Sequence, residues 1–137
     1  MYTGFVNLVH EVKRMRVLLA EREPNVRYGL RVLLEQRTDL QVVGEAADAQ
    51  ELSAHVASAC PDLVLLSWDL AGRKGAELIS TLRRICPGLH VIVLSGRPEA
   101  RRAVLNAGAN AFISKVEPPE QLLAAIEAAA TAAARQV

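Results

Sequence analysis

Aromatic side chains make up only 4% of the 137 residues, with one Trp, two Tyr and two Phe. So sparse a set provides no stacking platform for single-stranded nucleic acid. The formal net charge is +1, so no overall field draws the chain to nucleic acid or to an anionic membrane. No apolar run approaches the roughly 18 residues that a membrane span requires. Phe5, Leu8, Val9 and Val12 have helical spacing, but His10, Glu11, Lys13 and Arg14 interrupt any signal-peptide core. A cytoplasmic chain is expected. The two cysteines, Cys60 and Cys86, form no CxxC and are not spaced as metal ligands with His10, His55 or His90. They are expected to be small buried apolar residues at helix ends, not a disulfide framework or a metal site.

What remains is apolar and orderly. Hydrophobic residues are 51% of the chain, which excludes disorder, and the length suits one domain with a proper core. The stretch that organises it is Asp62 to Gly75. Leu63 to Ser67 form a continuous apolar or small run between Pro61 and Gly72, the pattern of a strand buried on both faces of a parallel sheet. Arg16–Ala20, Leu40–Gly44, His90–Leu94 and Ala111–Ser114 read as four more strands. Between them, apolar residues recur at helical spacing: Val26, Leu30, Leu33 and Leu34, then Leu52, Val56 and Ala59, then Leu78, Ile79, Leu82 and Ile85. A fourth helix is expected over Pro98–Ala107, closed by Gly108. A fifth starts at Pro118 and Pro119 and carries Leu122, Leu123 and Ile126. Asp48 is placed to cap the second helix.

Five strands alternating with five helices predict an α/β fold, a doubly wound five-stranded parallel sheet of order 2-1-3-4-5. Residues 1–14 are expected to be a partly ordered N-terminal extension, with Met15 an alternative start to Met1. The domain proper is 15–130, with a C-terminal tail at 131–137. In such sheets ligands bind beyond the carboxyl ends of the strands. Glu21, Arg22, Ser67, Trp68, Asp69, Ser95 and Lys115 gather there.

The ordered set of PDLVLL followed by G-x-x-G, Ser95 after HVIVL, the Asn106-Ala107-Gly108-Ala109 turn, and Phe112 followed by Lys115 and Pro118-Pro119 resembles the receiver domain of two-component response regulators. LQVVGEA and PDLVLL are most similar to receivers of transcription factors with a helix-turn-helix output domain. The resemblance implies a flavodoxin-like (βα)5 receiver. It also implies phosphoryl transfer to an aspartate after strand three, with Mg²⁺ held by acids after strand one. A hydroxyl after strand four and a lysine after strand five would contact the phosphoryl group, and a strand-five aromatic would report the change.

Ser95, Phe112 and Lys115 match that pattern, and Glu21 is an acceptable first acid. Arg22 stands at the second acid, Ser67 at the acceptor, and Ala71 at the usual loop proline. A serine hydroxyl needs an adjacent base to act as a nucleophile, and an arginine cannot ligate Mg²⁺. Glu21, Arg22 and Lys115 leave the pocket net positive, and neutral with Asp69 counted, where a family site is net negative. The expectation is therefore a pseudo-receiver with no catalytic residue, no metal and no cofactor, and not an enzyme. It would act in signalling through a protein partner or output domain. Partner contact or homodimerisation is expected on the face of helix four, strand five and helix five, at Arg101, Arg102, Asn106, Glu117, Glu120 and Gln121, with no direct nucleic acid contact. Arg22 is expected to neutralise the pocket near Asp69, leaving Lys115 free to reach Ser95. Two alternatives stay open. One is an active phosphorelay receiver using Asp69, with Mg²⁺ on Glu21 and Asp69. The other is a receiver fragment of a DNA-binding transcriptional regulator.

Overall fold

The computed structural model describes residues 14–135. The expected N-terminal extension, apart from Arg14, and the last two residues of the expected tail lie outside the described residues. Strands β1 (Met15–Ala20), β2 (Leu40–Ala46), β3 (Leu63–Ser67), β4 (His90–Ser95) and β5 (Ala111–Ser114) alternate with helices α1 (Pro24–Glu35), α2 (Ala49–Ala59), α3 (Gly75–Ile85), α4 (Arg101–Asn106) and α5 (Pro119–Arg135). All neighbouring strands pair in parallel, in the order β2-β1-β3-β4-β5. Consecutive parallel strands need a crossover, and α1 to α4 supply the four. β3 lies at the centre, and all five of its residues are buried.

The sheet divides two cores. On one face α2, α3 and α4 cover Leu18, Val64, Leu66, Val91 and Val93 with Leu52, Val56, Ile79, Leu82 and Val104. On the other, α1 and α5 cover Val17, Leu19, Leu65 and Ile92 with Leu34, Leu122 and Ile126. Alternate residues of each strand serve opposite faces, as strand geometry requires. The α2 start is capped as expected. Asp48 Oδ1 accepts from the Glu51 N–H at 2.7 Å, and Glu51 Oε1 accepts from the Ala47 N–H at 2.7 Å. Among the described residues no helix is long and apolar enough to cross a membrane.

Several local expectations are corrected. Val26 and Ile85, read into apolar stripes, are 39% and 40% exposed. The fourth helix is split into a 3-10 turn at Pro98–Ala100 and the short α4. The tail to Arg135 continues α5, as a run of alanines, the best helix former, allows. After Ser67 the chain enters a one-turn helix, Trp68–Ala71.

The cysteines are the largest correction. Cys60 and Cys86 are joined in a disulfide with their Cα atoms 5.6 Å apart. Cys86 is buried as expected, while Cys60 is exposed. The two residues follow α2 and α3 and lead into β3 and β4. Those strands are neighbours in the sheet, so residues 26 apart in sequence meet.

Trp68 lies over Gly75 in the α2–α3 core, where a β-carbon on Gly75 would collide with the indole ring. Gly75→Ala is therefore expected to cost about 1–3 kcal/mol through overpacking. In a Trp68→Ala background most of that cost should vanish. Urea denaturation of the four proteins in the cycle measures the coupling, and additive effects would refute the contact.

Candidate functional site

The carboxyl ends of β1, β3 and β5 converge on three side chains. Glu21 follows β1 and extends its ladder by donating its N–H to Ala46 O at 2.9 Å. Ser67 ends β3, and Lys115 follows β5, where its N–H donates to Ser95 O at 2.8 Å. Lys115 Nζ donates to Glu21 Oε1 at 2.7 Å and to Ser67 Oγ at 2.8 Å. The Glu21 and Lys115 side chains are 5% and 26% exposed, and Ser67 is 1% exposed. Glu21 Oε2 accepts from the Glu23 N–H at 3.0 Å, so each carboxylate oxygen has a donor.

Burial pushes the Glu21 carboxyl up. The Lys115 hydrogen bond, the Glu23 N–H, the Lys115 charge and the Ser67 hydroxyl outweigh it and hold the carboxyl below its ordinary value. Opposite charges in contact with a shared hydroxyl form a closed polar network.

Of Arg22 and Lys115, it is Lys115 that pairs with a carboxylate. Arg22 is exposed, and among the described residues no hydrogen bond or ion pair of its guanidinium is found. Lys115 does not reach Ser95 with its amine, contrary to expectation. Its reach is taken up by Glu21 and Ser67, and Ser95 Oγ instead accepts from the Arg97 N–H at 3.1 Å. Asp69 sits exposed in the one-turn helix. Trp68 faces Gly75 and so does not cover the Lys115 cluster. The sequence reading missed Arg27, whose guanidinium donates to Glu21 O at 2.7 Å and pairs with Glu45 at 3.0 Å. Its place one turn into α1, facing the end of β1, was the available signal.

Phe112 is 5% exposed, and the Arg101 guanidinium lies over its ring at 5.3 Å from the centroid, within cation–π range. Arg101, Arg102, Asn106, Glu117, Glu120 and Gln121 are all exposed on the α4–β5–α5 side. Arg101 is thus steered by the aromatic beneath it, and the other five project freely from the two helices and the turn between β5 and α5.

Comparison with known proteins gives one consistent result. The response regulator receiver domain family matches residues 17–127. The nitrate/nitrite response regulator protein NarL of Escherichia coli K12 is 32% identical over 116 residues, covering 83% of this chain and 54% of its own. A two-component response regulator of the LuxR family from Aurantimonas superposes with a TM-score of 0.77 at 31% identity, covering 85% of this chain and 84% of that one. A CheY-like receiver domain protein from Methanospirillum hungatei gives a TM-score of 0.79 at 25% identity, covering 91% and 100%. The chain spans about half the length of the curated relatives it matches.

Proposed function

The chain belongs to the response regulator receiver domain family, and from that premise we propose that it is a receiver that has lost aspartyl phosphorylation and signals by protein contact alone. The observation that carries this reading is Lys115 Nζ bridging Glu21 and Ser67. A phosphoryl group needs a carboxylate acceptor, a cation held by several oxygen ligands and a free lysine. Ser67 offers a hydroxyl held by Lys115, and the Glu21 carboxylate beside it is itself neutralised by that lysine. Glu21 is the one carboxylate among the buried residues described, and both its oxygens are engaged. Arg22 adds a positive charge where a second acid would stand. The residues present do not fit Mg²⁺. Asp69 is the weaker acceptor candidate, since it is exposed and the lysine is committed elsewhere. The protein performs no turnover of its own and works in the cytoplasm.

The α4–β5–α5 side is the surface for a partner or a second copy. It carries charges of both signs, which favours specific pairing over nonspecific adhesion. RcsB, a similar protein, has been solved on DNA. In this protein any contact with DNA belongs to an output domain outside these residues. Sedimentation with and without acetyl phosphate plus Mg²⁺ is expected to give the same mass. Replacing Arg101→Glu and Arg102→Glu together should weaken association at least about 10-fold. A donor-dependent change of mass would overturn the proposal, and association indifferent to both arginines would remove the face from it.

A further inference from the structure

We propose that Cys60 and Cys86 form a reversible thiol–disulfide site, opened and closed by exchange with a low-molecular-weight thiol and its disulfide. The pair lies at the amino ends of β3 and β4, at the opposite end of the sheet from Lys115. Three observations carry the assignment.

The first is asymmetry of access. Cys60 is exposed and Cys86 is 3% exposed, so an incoming thiolate reaches one sulfur and the other is the natural leaving group. The second is the backbone. Cys60 is the only non-glycine with positive φ among the described residues, at φ 39° and ψ 67°, just after α2. Glycine is the default there because it lacks the β-carbon that makes this conformation costly. A cysteine at that place points to a use for its sulfur, and the side chain it carries reaches Cys86. The third concerns the open state. Cys86 Sγ lies 4.0 Å from the Pro61 carbonyl oxygen, so once the two sulfurs part, a reduced Cys86 thiol has a nearby acceptor for its weak S–H donor.

The chemistry balances with a small disulfide as oxidant. The Cys60 thiolate attacks one sulfur of RSSR, forming a mixed disulfide and releasing RS⁻. The Cys86 thiolate then attacks Cys60 Sγ, the Cys60–Cys86 bond forms, and a second RS⁻ leaves. The protein gives up two electrons and two protons, and two RSH result. Reduction is the reverse, beginning with an external thiolate at Cys60. The closed bridge fastens the ends of α2 and α3 around the segment that contains β3 and Ser67.

The test uses the full chain with reduced and oxidised glutathione as probes. Oxidised glutathione should convert the folded, reduced protein to a form lighter by two hydrogens, and reduced glutathione or dithiothreitol should restore it under native conditions. Opening the bridge should lower Tm by roughly 5–10 °C. In Cys86→Ala, Cys60 should take a glutathione adduct at least about 10-fold faster than Cys86 does in Cys60→Gly. Cys60→Gly should also melt roughly 2–5 °C above the reduced wild type, because it relieves the left-handed residue. Failure of the folded protein to oxidise would overturn the site. A bridge that reduces only on unfolding would overturn its reversibility. Equal adduct rates, or a Cys60→Gly protein less stable than reduced wild type, would remove the asymmetry and the backbone argument on which it stands.

Discussion

Ser67→Asp alone is expected to remain unlabelled by acetyl phosphate, while Ser67→Asp with Arg22→Asp is labelled. The single change supplies an acceptor, but it places the new carboxylate against Lys115, which already neutralises Glu21. Arg22 still stands where the second acid is needed, so the cation that must offset charge on the transferring group has too few oxygen ligands. The double change restores both and lets Lys115 divide its contacts. Electrostatic clamps on a transferring group are worth at least about 100-fold in rate, so labelling should rise by that factor or more over either single variant. Intact-mass spectra after a fixed incubation give the answer. Efficient labelling of Ser67→Asp alone would mean that Arg22, exposed as it is, does not oppose the metal.

The second large effect is on stability. Lys115→Met removes the only cation among the described residues that touches the buried Glu21 carboxylate. Stranding a buried charge costs about 3–5 kcal/mol. Because the Lys115 side chain is 26% exposed and water can follow it in, about 2–3 kcal/mol is expected. Adding Glu21→Gln should recover most of that loss, since the neutral amide needs no counter-charge.

The pH dependence separates this from simple loss of packing. Glu21 is held below its ordinary value in the folded protein, so its contribution is complete above the unfolded carboxyl range and is lost as pH falls through the lowered folded value. In Lys115→Met both lowering contributions of the lysine are gone and burial is opposed only by the Glu23 N–H and the Ser67 hydroxyl, so the same group moves up. The penalty then grows as pH rises through the unfolded carboxyl range and disappears in acid. The difference between the two proteins should therefore be largest near neutral pH and shrink on acidification. A difference constant with pH would assign the loss to the aliphatic stem of the lysine.

The strand order was legible because each strand is an apolar run closed by proline, glycine or a charged turn, and because strand–helix alternation permits few arrangements. Leu63–Ser67 and Val91–Ser95 are buried from end to end, and a continuous run with no alternation is the one-dimensional trace of that. The gathering of Glu21, Ser67, Ser95 and Lys115 followed from the order alone. Their mutual contacts did not. Whether Lys115 or Arg22 takes the carboxylate depends on which side chain turns inward, and Glu21 still belongs to the strand ladder while Arg22 has left it. The disulfide was illegible for a different reason. Cys60 and Cys86 look like unrelated helix ends until β3 and β4 are set side by side. Trp68 could not be placed against Gly75 either, because the helical turn after Ser67 has no side-chain cap to mark its start.

The most direct test of a closed pocket is titration with beryllofluoride and Mg²⁺, read through Trp68, the single tryptophan and the residue next to Ser67. The wild-type chain should show no saturable change in tryptophan emission up to millimolar Mg²⁺. The Ser67→Asp, Arg22→Asp protein should show one under the same conditions, which establishes that the probe responds. A saturable change in the wild type, abolished by Glu21→Gln, would mean that the site still takes a metal and a phosphoryl mimic, and would contradict the account.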